Sequence, residues 1–131
     1  MKCFDTPQKF ALPLLALLFL SASADLSSIS GYISTGNAKG LSAHFDNLVE
    51  LHLDDQEGTF SRTQAEQIMK DFFRQYPPRT FSFLQDGISE GANMQYAIGT
   101  YVSGSRKFRT YVYLKKRNGQ MLIQELSFQY E

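Results

Sequence analysis

The first part of the chain carries two short hydrophobic repeats of helical period, followed by an apolar run that is too short for a helix. Apolar side chains recur at helical spacing over residues 25–35, and a second short helix is predicted over 37–45. Residues 48–53 (LVELHL) form a brief apolar run bounded by an acidic turn, which is typical of a strand. A short extended segment is expected at Thr59-Phe60. This part is therefore predicted to form two helices, a strand and a brief extended segment.

The clearest helical signal spans residues 61–75. Ser61 and Gln64 have the spacing of a capping box, in which each side chain satisfies the other residue's free backbone N–H. Apolar residues then recur with helical period as one continuous stripe, formed by Ala65, Ile68, Met69, Phe72, Phe73 and Tyr76. Pro77-Pro78 ends the helix because proline lacks a backbone donor and disfavours helical backbone at the residue before it. We expect a long helix that packs its stripe against a core.

Four extended segments run from this helix to the C-terminus, and their spacing predicts an antiparallel meander. They cover residues 79–86, 94–103, 107–116 and 120–130. Asn118-Gly119 is a strong signal for a tight hairpin turn between the last two strands. Ser103-Gly104-Ser105 is expected to turn the chain between the two strands before them.

Hydrophobic alternation predicts which side chains of the meander face the core. The even-numbered residues of the second and third strands are expected to share the inner face: Met94, Tyr96, Ile98, Thr100 and Val102 with Phe108, Thr110, Val112 and Leu114. In the last strand Ile123 and Leu126 are out of phase. One extra residue near Gln124-Glu125 restores the phase, so a β-bulge is predicted there.

This register leaves tyrosine and arginine on the outer face of the sheet. The residues concerned are Tyr101, Arg109, Tyr111 and Tyr113. Both residue types are enriched at interaction hot spots, which makes this face the candidate binding surface. The alternative is an idle tyrosine-rich surface, which strand propensity alone explains.

Residues 1–24 have the pattern of a secretory signal peptide. Two lysines precede an apolar core over residues 10–20, which is shorter than a membrane span. Ala22-Ser23-Ala24 supplies the small residues that signal peptidase requires, which places the cut before Asp25. The alternative is a retained membrane anchor. We expect a periplasmic or secreted protein in which residues 25–131 form one domain, with no integral membrane segment after processing.

Composition narrows the chemistry that this domain can perform. The only cysteine, Cys3, lies in the predicted signal peptide, so residues 25–131 have no thiol for disulfides, nucleophilic catalysis or metal ligation. The charge is balanced, with 13 basic and 13 acidic residues in the whole chain, which argues against a nucleic-acid partner. No glycine-rich phosphate loop is present, and no cofactor is predicted.

The two histidines are weak candidates for a metal site. His44 and His52 are each followed by an aspartate two residues later, Asp46 and Asp54. A metal site needs at least three convergent ligands, and this spacing matches no established ligand pattern. Structural or solvent-exposed roles are favoured for both histidines, and no metal site is predicted.

The space between helix 61–75 and the sheet is the alternative place for a site. Tyr96, Thr100 and Thr110 are expected to bring polar atoms to it, beside Phe72. None of them is a competent general base near neutral pH, so no catalytic residue is predicted. A packed core is favoured over a ligand pocket.

The order of elements resembles the nuclear-transport-factor-two-like, cystatin-like α+β fold, in which a cone-shaped, strongly bent antiparallel sheet wraps around a long helix. Several sequence blocks are also similar to an uncharacterised family of bacterial exported proteins: GLSAHFD (40–46), VEL (49–51), EGTFS (57–61), AEQ (65–67), DFF (71–73), PP (77–78), QYAIGT (95–100), YVYLKK (111–116) and LIQEL (122–126). The resemblance covers nearly all of residues 25–131. It implies the fold and no activity.

Two functional hypotheses follow. The preferred one is an exported, non-enzymatic binding or self-association module that uses the tyrosine- and arginine-bearing outer face. In the resembled fold this face often mediates dimer formation, so the resemblance implies a homodimer. The alternative is a small-molecule binder or an enzyme that uses the cavity between helix 61–75 and the sheet.

Overall fold

In the computed structural model, which describes residues 24–131, the helices and strands follow the predicted order. The helices are α1 (Ala24–Thr35), α2 (Ala38–Ser42) and α3 (Arg62–Gln75). The strands are β1 (Phe45–Leu53), β2 (Gln56–Ser61), β3 (Thr80–Ile88), β4 (Met94–Ser103), β5 (Arg106–Arg117) and β6 (Gln120–Tyr130). β1 begins earlier than expected, because Phe45 is a buried strand residue and the helix predicted over 37–45 ends at Ser42.

Helix α3 begins with the predicted capping box. The Ser61 hydroxyl accepts a hydrogen bond from the Gln64 N–H, and the Gln64 side chain accepts one from the Ser61 N–H, both at 3.2 Å. The predicted apolar stripe is the buried face of the helix, on which Ala65, Met69 and Phe72 are nearly inaccessible to solvent.

The strands form one six-stranded sheet in the order β2-β1-β6-β5-β4-β3. The meander from β3 to β6 is antiparallel as predicted, and β1 pairs with β2 antiparallel, whereas β1 and β6 run parallel. Helix α3 connects the two edge strands, β2 and β3, so it crosses the inner face of the sheet. The result is the expected α+β architecture, a bent sheet around a long helix.

Bulges in β6 and β3 bend the meander. In β6, Tyr113 pairs with Glu125 while Leu114 pairs with Ile123, so Gln124 is the extra residue and the predicted bulge is confirmed. A second register shift in β3 leaves Leu84 unpaired with β4. Such insertions increase the local twist and bend the strand that carries them.

The predicted inner face of β4 is wrong, although that of β5 is correct. The turn between these strands contains two residues, Gly104 and Ser105, and Ser103 pairs with Arg106. A two-residue turn pairs each odd-numbered β4 residue with an even-numbered β5 residue, so Tyr101 lies opposite Phe108. The three-residue turn expected from the sequence would have paired even with even. The side chains of β4 therefore point to the opposite faces from those predicted.

The reversed phase changes the environment of side chains along the whole of β4. Gln95, Ala97, Gly99 and Tyr101 lie on the helix side of the sheet, and Tyr96, Ile98, Thr100 and Val102 lie on the outer side. Gly99 is needed there, because a Cβ at this position would lie 2.5 Å from the Ser82 carbonyl oxygen and 3.2 Å from the Phe81 ring. The predicted packing of the outer tyrosines across Ala97 and Gly99 is therefore also wrong.

The predicted signal peptide of residues 1–24 falls almost wholly outside the described residues, and it stays a prediction. Within residues 24–131, none of the helices combines the length and the apolar content that crossing a membrane requires.

Candidate functional site

The outer face of the sheet carries three of the four residues predicted for it. Arg109 is exposed, and Tyr111 and Tyr113 are half-buried at alternate positions of β5. Val112 and Leu114, between and beside them, are fully buried against the helix side, which confirms the phase of β5. Whether these outer residues bind a partner stays a prediction.

Tyr101, the fourth predicted surface residue, is a core residue. Its side chain is fully buried and its ring contacts the rings of Phe72 and Phe128, with centroid distances of 5.6 and 5.2 Å. The hydroxyl donates to the carbonyl oxygen of Tyr76 at 2.5 Å, directly after α3. Burial raises the pKa of Tyr101 well above its usual value. Tyr101 therefore stabilises the junction of helix and sheet.

The four residues of the interior-pocket hypothesis do not line one space. Phe72 and Thr110 lie in the core, where the Phe72 ring is 5.5 Å from that of Phe108 and 4.8 Å from that of Phe128. Tyr96 and Thr100 are on the outer face because of the β4 phase. The Thr110 hydroxyl is buried without a hydrogen-bond partner. The aromatic rings of the core occupy the place in which the pocket was expected.

The β4 phase replaces Tyr101 with Tyr96 on the outer face and adds Ile98 beside it. Tyr96 lies directly opposite Tyr113, and Ile98 directly opposite Tyr111. We call these four half-buried residues the tyrosine patch. The Tyr113 hydroxyl lies 2.6 Å from the Met94 sulfur, and the Tyr96 ring packs across Gly87 on β3, where a Cβ would come within 2.5 Å of the ring. These contacts hold the Tyr96 and Tyr113 side chains against neighbouring strand residues.

A group of ionisable residues adjoins the tyrosine patch on β1, β2 and β6. Glu50 and His52 alternate along β1, so their side chains share the outer face. Glu57 is the partner of His52 on β2, and Glu125 is the partner of Glu50 on β6. We call these four residues the His52 cluster. Three strands thus position four ionisable side chains at one point of the outer face.

The imidazole of His52 is at the centre of the cluster. Its Nε2 lies 3.5 Å from a Glu50 oxygen and 3.9 Å from a Glu125 oxygen, and its Nδ1 lies 3.6 Å from a Glu57 oxygen. All three distances exceed those of ordinary N–H···O hydrogen bonds. The ring is therefore surrounded by carboxylates at close but non-bonded range.

Electrostatics couples these groups. Burial opposes the charged form of His52 and by itself would lower its pKa. The contacts with Glu50 and Glu57, together with the negative charges of Glu50 and Glu125, outweigh burial, so the pKa of His52 is raised above 6.5. Burial and the neighbouring Glu50 charge raise the pKa of Glu125 above 4.5, although His52 acts in the opposite direction. Burial and the Glu125 charge likewise raise the pKa of Tyr111 above 10.0. Negative charge is thus concentrated at this place.

A surface pocket of about 280 Å³ lies beside the cluster, lined by His52, Arg109, Tyr111, Glu125, Ser127 and Gln129. Arg109 is held by Glu131, with its Nη2 2.9 Å from a carboxylate oxygen. The pocket therefore joins the cluster to Tyr111 and to the one arginine predicted for the outer face.

The sequence places Asp54 two residues after His52, but the carboxylates around the ring in the structure are Glu50, Glu57 and Glu125. The spacing of Glu50 and His52 on a predicted strand is enough to place both side chains on one face of the sheet, because residues i and i+2 of a strand share a face. Glu57 and Glu125 could not be assigned to it, because their positions depend on strand pairings and on the β6 bulge.

Comparison with known proteins places the chain in a family. The sequence matches DUF4783, a domain of unknown function, over residues 26–129. No curated protein matches it. Its structure is similar to that of a DUF4783 family protein from Bacteroides ovatus, with a TM-score of 0.74 and 21% identity over 79% of this chain and 93% of that chain. A DUF4783 family protein from Bacteroides uniformis is similar with a TM-score of 0.75 and 18% identity over 80% of this chain and 95% of that chain.

The same fold extends beyond the family. An NTF2-like protein of unknown function from Shewanella baltica is similar with a TM-score of 0.65 at 10% identity, covering 88% of this chain and 95% of that chain. Identities this low show the fold alone. Together with the family match, they confirm the expected fold and the resemblance to an uncharacterised family. The chain belongs to the DUF4783 family of domains of unknown function and has the NTF2-like fold.

Proposed function

We propose that residues 25–131 form an exported, non-enzymatic binding module that self-associates through the tyrosine patch. The observation that carries the proposal is the direct pairing of Tyr96 with Tyr113 and of Ile98 with Tyr111 on the face opposite α3. Four large side chains are thereby contiguous on the surface. Contiguous apolar groups on a surface are often the place where another molecule binds.

A second copy of the chain is the partner that this surface fits most simply. In a two-fold dimer the same patch on both subunits faces itself, so a surface needs only to be self-complementary. Tyrosine rings suit such contacts because they provide large apolar area with few rotatable bonds, and their hydroxyls hydrogen-bond at the rim. The exposed Arg109 lies two residues from Tyr111 on the same strand face, where it can accompany the rings at the edge of the interface.

Light scattering coupled to size exclusion tests self-association. We expect the purified protein to elute with twice the monomer mass and the Tyr111→Ala/Tyr113→Ala variant to elute as a monomer. Tyr130→Ala is the matched control, because Tyr130 is half-exposed on β6 and lies outside the patch. The control is expected to remain dimeric. A protein that is monomeric before and after mutation would contradict self-association.

A further inference from the structure

Three members of the His52 cluster are of residue types that ligate metal ions. One ligand atom from each of Glu50, His52 and Glu125 can be chosen so that all three lie within 4.8 Å of one another. These atoms come from two neighbouring strands whose pairing fixes Glu50 beside Glu125. Sites supported by strands hold their ligands more accurately than sites on loops.

The distances between these atoms approach those of a tetrahedral metal centre. Ligands at about 2.0–2.1 Å from a tetrahedral zinc ion lie about 3.4 Å from one another. The His52 Nε2 is 3.5 Å from the Glu50 oxygen and 3.9 Å from the Glu125 oxygen. Side-chain rotations that close these separations, and the one within 4.8 Å between the two carboxylates, would bring all three atoms onto one ion.

The other ring nitrogen faces a third carboxylate, which would need to move closer to accept its N–H. Nδ1 faces Glu57 at 3.6 Å, on the side of the ring away from Glu50 and Glu125. A carboxylate that accepts the second N–H of a ligating imidazole fixes its orientation and increases its basicity. Glu57 is thus a positioning residue, which leaves Nε2 directed at the other two carboxylates.

Charge also favours a cation at this place. Three carboxylates surround one imidazole, and the nearby guanidinium of Arg109 is already paired with Glu131. A divalent ion would compensate the excess negative charge. An imidazole among the ligands favours a transition-metal ion such as zinc over magnesium or calcium, which prefer oxygen ligands alone.

We propose that Glu50, His52 and Glu125 bind a divalent transition-metal ion on the outer face of the sheet, with Glu57 orienting the histidine. Three protein ligands leave the fourth tetrahedral position open toward the adjoining pocket, where water or a ligand donor atom can complete the coordination. The four residues lie outside the tyrosine patch, although Tyr111 lines the adjoining pocket, so metal binding is tested separately from self-association.

Isothermal titration calorimetry of the purified protein with zinc chloride tests the site. We expect one zinc ion per chain, and a loss of affinity of at least about tenfold in His52→Gln and in Glu125→Gln. Glu57→Gln is expected to weaken binding by about 10–100-fold, as substitutions of orienting carboxylates do. The matched controls are His44→Gln, in which the altered histidine lies against Tyr32, and Asp71→Asn, in which the altered carboxylate is exposed on α3; both should bind like the parent protein.

A second measurement guards against variants that do not fold. Cobalt added to the unmodified protein should give the visible absorption of a tetrahedral site, and zinc should abolish it and raise the melting temperature. Absence of saturable zinc binding by the unmodified protein overturns the proposal. The proposal is also overturned if folded His52→Gln and Glu125→Gln bind zinc with unchanged affinity, or if the two controls lose as much zinc affinity as these variants do.

Discussion

Asp46 is a buried carboxylate that connects the first and last strands. Only 2% of its surface is exposed, and it accepts hydrogen bonds from the Gln124 amide, from the Asn47 N–H at 2.7 Å and from the Arg117 guanidinium at 3.1 Å. Burial alone would raise the pKa of Asp46, but these donors together lower it below 3.8. Because Gln124 is the bulge residue of β6, Asp46 anchors the bulge to β1.

The lowered pKa of Asp46 predicts an acid-dependent loss of stability. An ionised group with a depressed pKa stabilises the folded state above its unfolded pKa, and this contribution is lost as the pH falls through the lower, folded pKa. We expect Asp46→Asn to lower the free energy of unfolding by about 2 kcal/mol at pH 7, because the new amide N–H₂ faces donors. Urea unfolding at neutral pH and in steps below pH 4 measures this.

The difference between Asp46→Asn and the parent protein should shrink across the acidic range. Asp71→Asn is the control, because Asp71 is exposed on α3 and makes only a surface contact with Arg74. A deficit of Asp46→Asn that stays constant from neutral to strongly acidic pH would show that the charge of Asp46 does not contribute.

Helix α3 is the element that the sequence predicts most completely. Its cap, its buried stripe and its end before two prolines all depend on neighbouring residues, so no tertiary information is needed. The cap geometry is present in the structure, with Ser61 and Gln64 bonded reciprocally. Local chemistry therefore accounts for this helix.

Loss of the cap should cost stability without altering the fold. Ser61→Ala removes the side-chain acceptor of the Gln64 N–H and is expected to lower the free energy of unfolding by about 1 kcal/mol. Thermal unfolding followed by circular dichroism measures it. Ser105→Ala, in the exposed β4–β5 turn, is the control. Equal effects of the two substitutions would rule out a specific contribution from the cap.

The β4–β5 hairpin shows where element-level prediction fails. Asn118-Gly119 gives an unambiguous turn, and both residues have positive φ, 51° and 79°, as the turn requires. Ser103-Gly104-Ser105 permits a turn of either two or three residues. Because one residue of loop length reverses the face of every side chain in the strand, Tyr101 and Tyr96 exchanged their predicted environments.

The whole molecule combines surfaces that are remote in sequence. The parallel pairing of β1 with β6 joins Glu50 and His52 to Glu125, and the meander then places the tyrosine patch beside them. The face opposite α3 thus carries both proposed sites. If the domain is exported, as we propose, both are exposed to partners and metal ions outside the cytoplasm.

Export predicts a defined mature terminus. The predicted signal peptide ends with Ala22-Ser23-Ala24, so we expect the mature protein to begin at Asp25. We expect mass spectrometry of the protein expressed in full in a Gram-negative host to find a periplasmic species that begins at Asp25. Ala22→Lys, which removes a small residue required by signal peptidase, should block the cut. A cytoplasmic protein that retains Met1 would contradict export.

The sequence by itself determined the features that depend on short-range order: the helices, the strand segments, the Asn118-Gly119 turn and the bulge at Gln124, which the phase of the last strand requires. Tertiary structure decided the face of β4 and the partners of His52. The face of β4 and the partners of His52 both depend on strand order and register, which arise from contacts between segments that are distant in sequence. One residue more in a turn, or a different strand pairing, changes which side chains meet.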